Sequence, residues 1–535
     1  MKMKKLLCVA IALVMAIGML AGCNGNSGSG AAENFSETDE KLTLTWLGYT
    51  TNAGSDEGSA AELLLEEKFN VEIKPMFWEE SSFQDKKTML MAGGEIPDLV
   101  YELDPLHVYN DVDQEFIVEV PYETIEKYAP DYYNYINEYI PAAWIYSRRD
   151  GANWGVPNFN HAHDNNQVAV YRKDWLETVG AEVPKTLDEM HDVLYKFANE
   201  DPDGNGKKDT FGISIQAQHY HQYFPEIFGA YGVMPFDWTE KDGEIIYGGL
   251  LDETKEALKT LSTWYSEGIV HPDFVTGVPL KDLFTSGQLG YVLQNGFYDM
   301  SDTTTLPIVV KENNPKAEIA KGTLPTGPNG DAGARAWGRA CHVVAFGNTE
   351  GYGVKVPRIL QMFNEMHVDE KFAAELRLGK EGTDYKVDPE GAKSSTAVTY
   401  LGKYAAADVR KKDVIAGAMT GPAYFSPIPV TAEVAAKYNS KAWNDYAAEF
   451  IDPKYNAVSI FMKRDVIPSS VDYLLDLTNK QMALMNKIII GEVGIDAYAE
   501  FVDAWNNGGG KVMTEEANEL FDEMQAMYKE LGIKN

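Results

Sequence analysis

Nine consecutive residues, Asp201-Pro202-Asp203-Gly204-Asn205-Gly206-Lys207-Lys208-Asp209, place side-chain oxygens at positions one, three, five and nine and glycine at six. Alternating oxygen ligands on a loop converge on one hard cation, and glycine permits the turn, so this spacing fits the opening of a calcium loop. Asp201, Asp203, Asn205 and Asp209 would ligate through side chains and Lys207 through its carbonyl. Gly212 stands where a bidentate glutamate is expected, and a strand-like run (211–215) follows instead of a helix. A solvated turn is therefore the competing reading.

A second set of residues is aromatic and polar. Trp46, Tyr49, Trp78, Glu79 and Tyr101 stand at the ends of three apolar runs. Aromatic faces stack on the apolar CH face of pyranose rings, and flanking polar groups fix orientation. Trp46 and Trp78 could equally pack in a core. Asn158, Asn160, His161 and His163 lie in a loop too irregular for either period, where amides and imidazoles both donate and accept. Trp238, Asn295 and Phe297, and the trio Arg335, Trp337 and Arg339 in a Gly/Ala-rich loop, complete the set. Trp175, Trp264, Trp443 and Trp505 read as structural.

No catalytic residue is assigned. The 81 Asp+Glu guarantee carboxylate pairs such as Glu79 with Glu80 or Glu102, which in principle suit glycoside hydrolysis. His161-x-His163 with His219-x-His221 would suit a transition metal. An anchored or secreted sugar hydrolase is thus the alternative to a binding protein. The chain lacks a P-loop, a dinucleotide glycine fingerprint, His-Glu-x-x-His and a nucleophile elbow. No catalytic cofactor is expected.

The elements that must position these residues alternate. Strand-like 42–46, helical 59–69, strand-like 71–77, helical 83–92 stopped by Gly93-Gly94, and strand-like 96–101 form a βαβαβ unit with right-handed crossovers. Ligands of open parallel sheets bind beyond the carboxyl ends of the strands, where the aromatic residues arrive. Cys341 sits in an apolar strand-like run (340–346) and reads as a buried thiol rather than a nucleophile.

The whole chain has 535 residues with 47 Lys+Arg against 81 Asp+Glu, a net charge of -34. That balance argues against nucleic-acid binding, and 44% hydrophobic residues exclude disorder for the bulk of the chain. At the N-terminus three lysines precede an apolar run (6–20), too short for a comfortable membrane span and laid out as an export signal. Leu20-Ala21-Gly22-Cys23 resembles the bacterial lipobox, which implies cleavage after residue 22 and acylation of Cys23. Without residues 1–22 the charge is -37, since three lysines and no acids are lost. Residues 24–40 form a Gly/Ser/Asn-rich and polar tether, on the order of 20–25 Å as a coil.

Several segments resemble the extracellular solute-binding proteins of ABC importers, closest to the large lipoproteins for oligosaccharides. They are Gly93-Gly94-Glu95-Ile96-Pro97-Asp98, Gly155-Val156-Pro157, Val170-Tyr171-Arg172-Lys173-Asp174-Trp175-Leu176 and Val183-Pro184-Lys185-Thr186-Leu187-Asp188-Glu189, the last holding a capping box. Phe284-Thr285-Ser286-Gly287-Gln288-Leu289-Gly290 and Trp505-Asn506-Asn507-Gly508-Gly509-Gly510 continue the pattern. The resemblance implies an α/β fold of two lobes, each a mostly parallel sheet flanked by helices, with the ligand in the cleft and closure about a hinge. It implies a carbohydrate ligand, permease transmembrane subunits as partners, and a membrane-anchored, extracytoplasmic location; a peptide is the non-sugar alternative. The family carries a calcium loop at the position of Asp201–Asp209, often with an acid after the ninth place, where this chain has Thr210. Expected boundaries are 1–22 signal, 23–40 tether, 41–160 lobe 1, 161–342 lobe 2, 343–430 a return to lobe 1, and 431–535 lobe 2 helices, in a monomer.

Overall fold

The computed structural model describes residues 35–50, 57–102, 105–159, 167–215, 220–276, 278–295, 305–335, 340–392, 396–413, 436–441, 444–445, 457–458 and 461–533. The chain opens with β1 (Leu42–Thr50) and α1 (Ala60–Phe69). The Ser59 side chain caps α1 by accepting from the Glu62 backbone N–H, and Asn70 ends it in the left-handed conformation. β2 (Val71–Glu79), α2 (Glu80–Ala92), β3 (Leu99–Glu102) and α3 (Pro105–Asp113) follow. The predicted βαβαβ unit is therefore present, with β1 parallel to both β2 and β3.

The Gly-Gly-Glu-Ile-Pro-Asp stretch has a structural role. Gly94 takes φ 85°, which permits the sharp exit from α2. Asp98, 5% exposed, then accepts from the Thr45 backbone N–H at 2.8 Å and the Thr45 hydroxyl at 2.9 Å. Its other oxygen accepts from Lys355 at 2.7 Å and Thr349 at 2.5 Å. One carboxylate thus joins β1 and the entry of β3 to a segment some 250 residues away in sequence.

β4 (Gly155–Phe159) is the last strand of this stretch, and β5 (Gln167–Arg172) opens a second sheet. α4 (Leu187–Asn199) starts at the predicted capping box of Thr186 and Glu189 and buries Met190, Leu194 and Phe197. After α5 (Pro225–Ala230) and α6 (Asp252–Ser266) come β6 (Tyr291–Asn295), β7 (Ile319–Gly322) and β8 (Ala334–Arg335). β9 (Ala340–Phe346) returns to the first sheet, α7 (Tyr352–Val368) covers it, and α8 (Ser470–Ile489) and α9 (Gly510–Glu530) pack near the C-terminus.

The first sheet has the order β2-β1-β3-β9-β4. β9 runs antiparallel to both neighbours. In the second sheet β5 lies between β6 and β7, antiparallel to each. Parallel bridges join Leu289, just before β6, to Phe211, and Ile213 to Val270. Both lobes therefore share one plan: a parallel βαβ-built side, then one reversed strand, then an edge strand. Each sheet is mixed rather than mostly parallel. The reversed strand is the one that arrives from the other lobe, so it starts at the edge where the βαβ strands end.

Each lobe has an aromatic core. Trp46, fully enclosed, meets the edge of Phe363 from α7 at 6.5 Å. In the second lobe Tyr247 stacks on Trp505 at 4.0 Å, and Trp238 packs edge-on to both. Among the described residues no helix is long and apolar enough to cross a membrane.

Candidate ligand-binding cleft

The register gathers one set of residues at the carboxyl edge of the first sheet. Tyr49 pairs with Trp78 and Thr50 with Glu79 at the ends of β1 and β2. β3 ends at Glu102 opposite Val343, near the start of β9, and His342 pairs with Asn158 near the end of β4. In the second sheet Asn295 pairs with Gln167. Residues 160–166 link the end of β4 to the start of β5, a stretch that spans at most about 28 Å fully extended. Ligands of such sheets bind beyond the strand ends, so these two edges are the candidate walls of a cleft.

At the first edge a charge cluster is locked in place. The Lys87 ammonium donates to Glu102 Oε1 at 2.6 Å, Glu102 Oε2 at 2.7 Å and Asp111 Oδ2 at 2.9 Å. Lys87, Glu102 and Asp111 are 1%, 0% and 5% exposed. Burial pushes the Glu102 carboxyl well up while Lys87 pulls it down, and Asp111 raises it further. That direction follows from two acids sharing one lysine. For Lys87, burial works downward but the two carboxylates outweigh it and hold the ammonium above its usual range. Glu102 is thus a brace joining β3, α2 and α3, rather than a free partner for Glu79, which is exposed.

Around this brace lie partly exposed rings. Trp78 is half-buried, 6.3 Å from Phe83, with Lys86 5.9 Å from its ring. His342 is half-buried and sits 5.2 Å from the Tyr101 ring. His107 is partly exposed, with Nδ1 3.9 Å from Glu102.

The candidate second wall lies in the second lobe, beyond the parallel segment 211–215. Tyr220, His221 and Gln222 form a short turn there, all half-buried. The Arg464 guanidinium lies 3.4 Å from the Tyr220 ring centroid and donates to Thr478 at 3.1 Å. Its neighbour Lys463 bonds the Tyr146 hydroxyl in the first lobe at 3.0 Å through its backbone N–H. Phe461 N–H donates to the Trp238 carbonyl in the second lobe at 2.8 Å. Residues 461–466 therefore touch both lobes.

Several expected ligand-binding residues are displaced from this surface. Trp46 and Trp238 are 0% exposed and fill the two cores. Tyr101, 1% exposed, points into the sheet's covered face, leaving His342 beyond it. Arg335, 4% exposed, donates from Nε to both oxygens of Asp237 at 3.0 Å, so it braces β8 against the Asp237 turn. Trp175, Trp264 and Trp505 are buried as expected. For Tyr49, Asn158 and Asn295 only the strand position is described. Cys23, Asn160, His161, His163, His219, Phe297, Trp337, Arg339 and Trp443 lie outside the described residues.

The sequence reading missed Lys87, His342, Tyr220 and Arg464. Lys87 carried a signal: Phe83, Lys87 and Met91 form one i, i+4 stripe, all buried, so a lysine occupies the apolar face of α2. A cation there requires acid partners.

The loop 201–209 closes on itself. Asn205 donates from its backbone to Asp201 Oδ1 at 3.1 Å and Asp203 Oδ1 at 3.2 Å. Its side-chain amide reaches Asp203 at 2.7 Å and Asp209 at 3.1 Å, while Gly206 N–H reaches Asp201 at 3.0 Å. Burial, with Asp201 and Asp209 alongside, raises the Asp203 carboxyl. Three acids gathered around one asparagine are the donor set a hard cation takes. Among the described residues no group of three His, Cys, Asp or Glu is arranged ready to hold a metal, so the oxygens would have to turn inward on binding.

No protein-family model matches the chain. It is 26% identical over 521 residues to the polygalacturonan/rhamnogalacturonan-binding protein YtcQ of Bacillus subtilis, covering 96% of this chain and 97% of that one. It is 23% identical over 530 residues to lipoprotein LipO of the same organism, with 96% and 97% covered. Among solved structures, an HMO-binding, ABC-transporter-associated solute-binding protein from Bifidobacterium longum infantis superposes with a TM-score of 0.65 at 15% identity, over 91% of this chain and 99% of that one. The alginate-binding protein AlgQ2, solved without calcium ion, gives 0.60 at 15% identity over 91% and 99%. At such identities the structural likeness concerns the fold. The chain is thus similar along nearly its full length to a polygalacturonan/rhamnogalacturonan-binding protein and to a lipoprotein, and it shares its fold with solved HMO-binding and alginate-binding proteins.

Proposed function

We propose that the protein captures an oligosaccharide between the two strand-end edges and delivers it to a membrane permease by closing the lobes around it. The observation that carries this reading is that half-buried Trp78 and His342 stand at the strand-end edge of the first lobe and half-buried Tyr220 in the turn after the segment 211–215 of the second, while Lys87 holds Glu102 and Asp111 in place. Stacking surface and hydrogen-bonding groups are what pyranose rings require. The relatives named for polygalacturonan, HMO and alginate support the carbohydrate class. No chemistry on the ligand belongs to this reading: Glu102, at the end of β3, is tied to Lys87.

The signal-like N-terminus and Cys23, together with similarity to a lipoprotein, support anchoring by acyl chains at the extracytoplasmic face. The lobes would comprise 41–160 with the return near 343–430, and 161–342 with the C-terminal helices. Asp201, Asp203, Asn205 and Asp209 with the Lys207 carbonyl would hold a structural calcium ion, remote from the ligand.

Tryptophan fluorescence and thermal shift across a panel of plant and microbial oligosaccharides test the function. A saturable shift with one carbohydrate, each sugar recovered unchanged, is the expected result. Release of reducing ends would establish a hydrolase, and a response to peptides alone would overturn the sugar assignment.

A further inference from the structure

We propose that Glu226 is a protonation-sensitive latch in the second lobe, neutral when the lobe is tightly packed and loosening it when ionised. Glu226 lies on α5 and is 2% exposed. It faces Tyr171 of β5 and Tyr291 of β6, which stand directly opposite in the strand ladder with ring centroids 4.9 Å apart. These two are 0% and 1% exposed. Glu226 Oε2 and both tyrosine hydroxyls have no hydrogen-bond partner among the described residues. Three enclosed polar groups thus converge with no cation among them. Glu226 is the sole ionisable residue of α5, and Arg335 on the adjoining β8 is engaged by Asp237.

A carboxylate here meets no cation among these groups, and burial holds both phenols far above their usual range and so neutral. Burial likewise pushes the Glu226 carboxyl up to about 7, against smaller downward pulls from its own backbone N–H and Tyr291. The position gives the charge leverage. α5 follows the Tyr220–Gln222 turn of the cleft wall, with Phe224 left-handed at φ 47° between them. On its far side Gly229 lies so close to the Gly333 carbonyl that a β-carbon would collide with it. Gly333 directly precedes β8, on the path back to the first lobe. A shift of α5 therefore reaches both the cleft wall and the return segment.

The sign is fixed by linkage. With a folded pKa above the unfolded one, the folded state binds more protons between the two values, so stability is full below about 4.5 and falls until about pH 7. The test compares urea unfolding of the ligand-free wild type and Glu226→Gln across that range. The folded-to-unfolded ratio of the wild type is expected to lose about 300-fold in all relative to the variant, from well below the lower value to well above the upper one. Tyr291→Phe removes a group that lowers the Glu226 pKa, so it should move the loss to higher pH. Amide exchange in α5 and β8, corrected for intrinsic pH dependence, should accelerate over the same range in the wild type and not in Glu226→Gln. Parallel stability curves for wild type and Glu226→Gln would overturn the proposal. If that variant does not fold, an unmoved midpoint in Tyr291→Phe would do the same. Neither readout depends on which ligand the cleft takes.

Discussion

Lys87 illustrates how a single side chain sets the character of an edge. Its ammonium bonds both the buried Glu102 and the buried Asp111, so removing it leaves two acids enclosed near one another. Lys87→Met is expected to cost about 3–5 kcal/mol in urea unfolding, as breaking a buried pair does. Adding Glu102→Leu should recover part of that loss, since removing both partners spares an unpaired charge. The two tryptophans of the same sheet should separate cleanly. Trp46→Ala should destabilise by about 3–5 kcal/mol, whereas Trp78→Ala should leave stability nearly unchanged and weaken ligand affinity roughly tenfold. The distinction was legible in the alternation of the strands. Leu42, Leu44 and Trp46 share one face, while Trp78 shares the face of Glu72 and Lys74. Arg335 was not legible, because its partner Asp237 lies 98 residues earlier and nothing local announces it.

Elements with strong local signals formed where the sequence placed them. The capping box at Thr186, the Gly93-Gly94 stop and the long helix of α6 need only neighbours a few residues away. The reversed strands did not declare themselves, since direction in a sheet is decided by where the chain enters and not by its own alternation. The loop 201–209 is a further case in which residues close in sequence suffice. Its Asn205 amide holds Asp203 and Asp209 in a position that a cation could take over. Calcium is therefore expected to raise the melting temperature, with magnesium less effective because it demands smaller, more regular coordination. Chelator should reverse the gain, and Asp203→Ala with Asp209→Ala should abolish it while leaving oligosaccharide affinity unchanged. An affinity that fell with the metal would place the loop in the binding machinery instead.

At the scale of the whole molecule the lobes differ in how they respond to protons. In the first lobe His367, near the end of α7, lies against Tyr132 at 6.0 Å and Tyr135 at 5.2 Å, and its Nδ1 has no hydrogen-bond partner among the described residues. Burial pushes this imidazole down to about 4, outweighing an upward pull from Asp131. Its folded pKa is below the unfolded one, so the unfolded chain binds more protons between about 6.5 and 4 and stability falls as pH drops through that window. Glu226 acts in the opposite sense in the second lobe, where stability falls as pH rises to about 7. Each substitution should therefore tilt the pH profile of stability its own way. His367→Gln should flatten the acid limb and leave the neutral limb, while Glu226→Gln should do the reverse. The effects should add, because the two residues belong to different lobes and share no described partner. The net charge of -34 repels itself increasingly as carboxylates ionise. That background is nearly common to all four proteins and cancels in the differences. Urea midpoints of wild type, both single variants and the double variant between about pH 4 and pH 8 decide the matter. Coupling between the two substitutions, or an acid limb unchanged by His367→Gln, would show that proton binding is shared across the molecule rather than divided between its lobes.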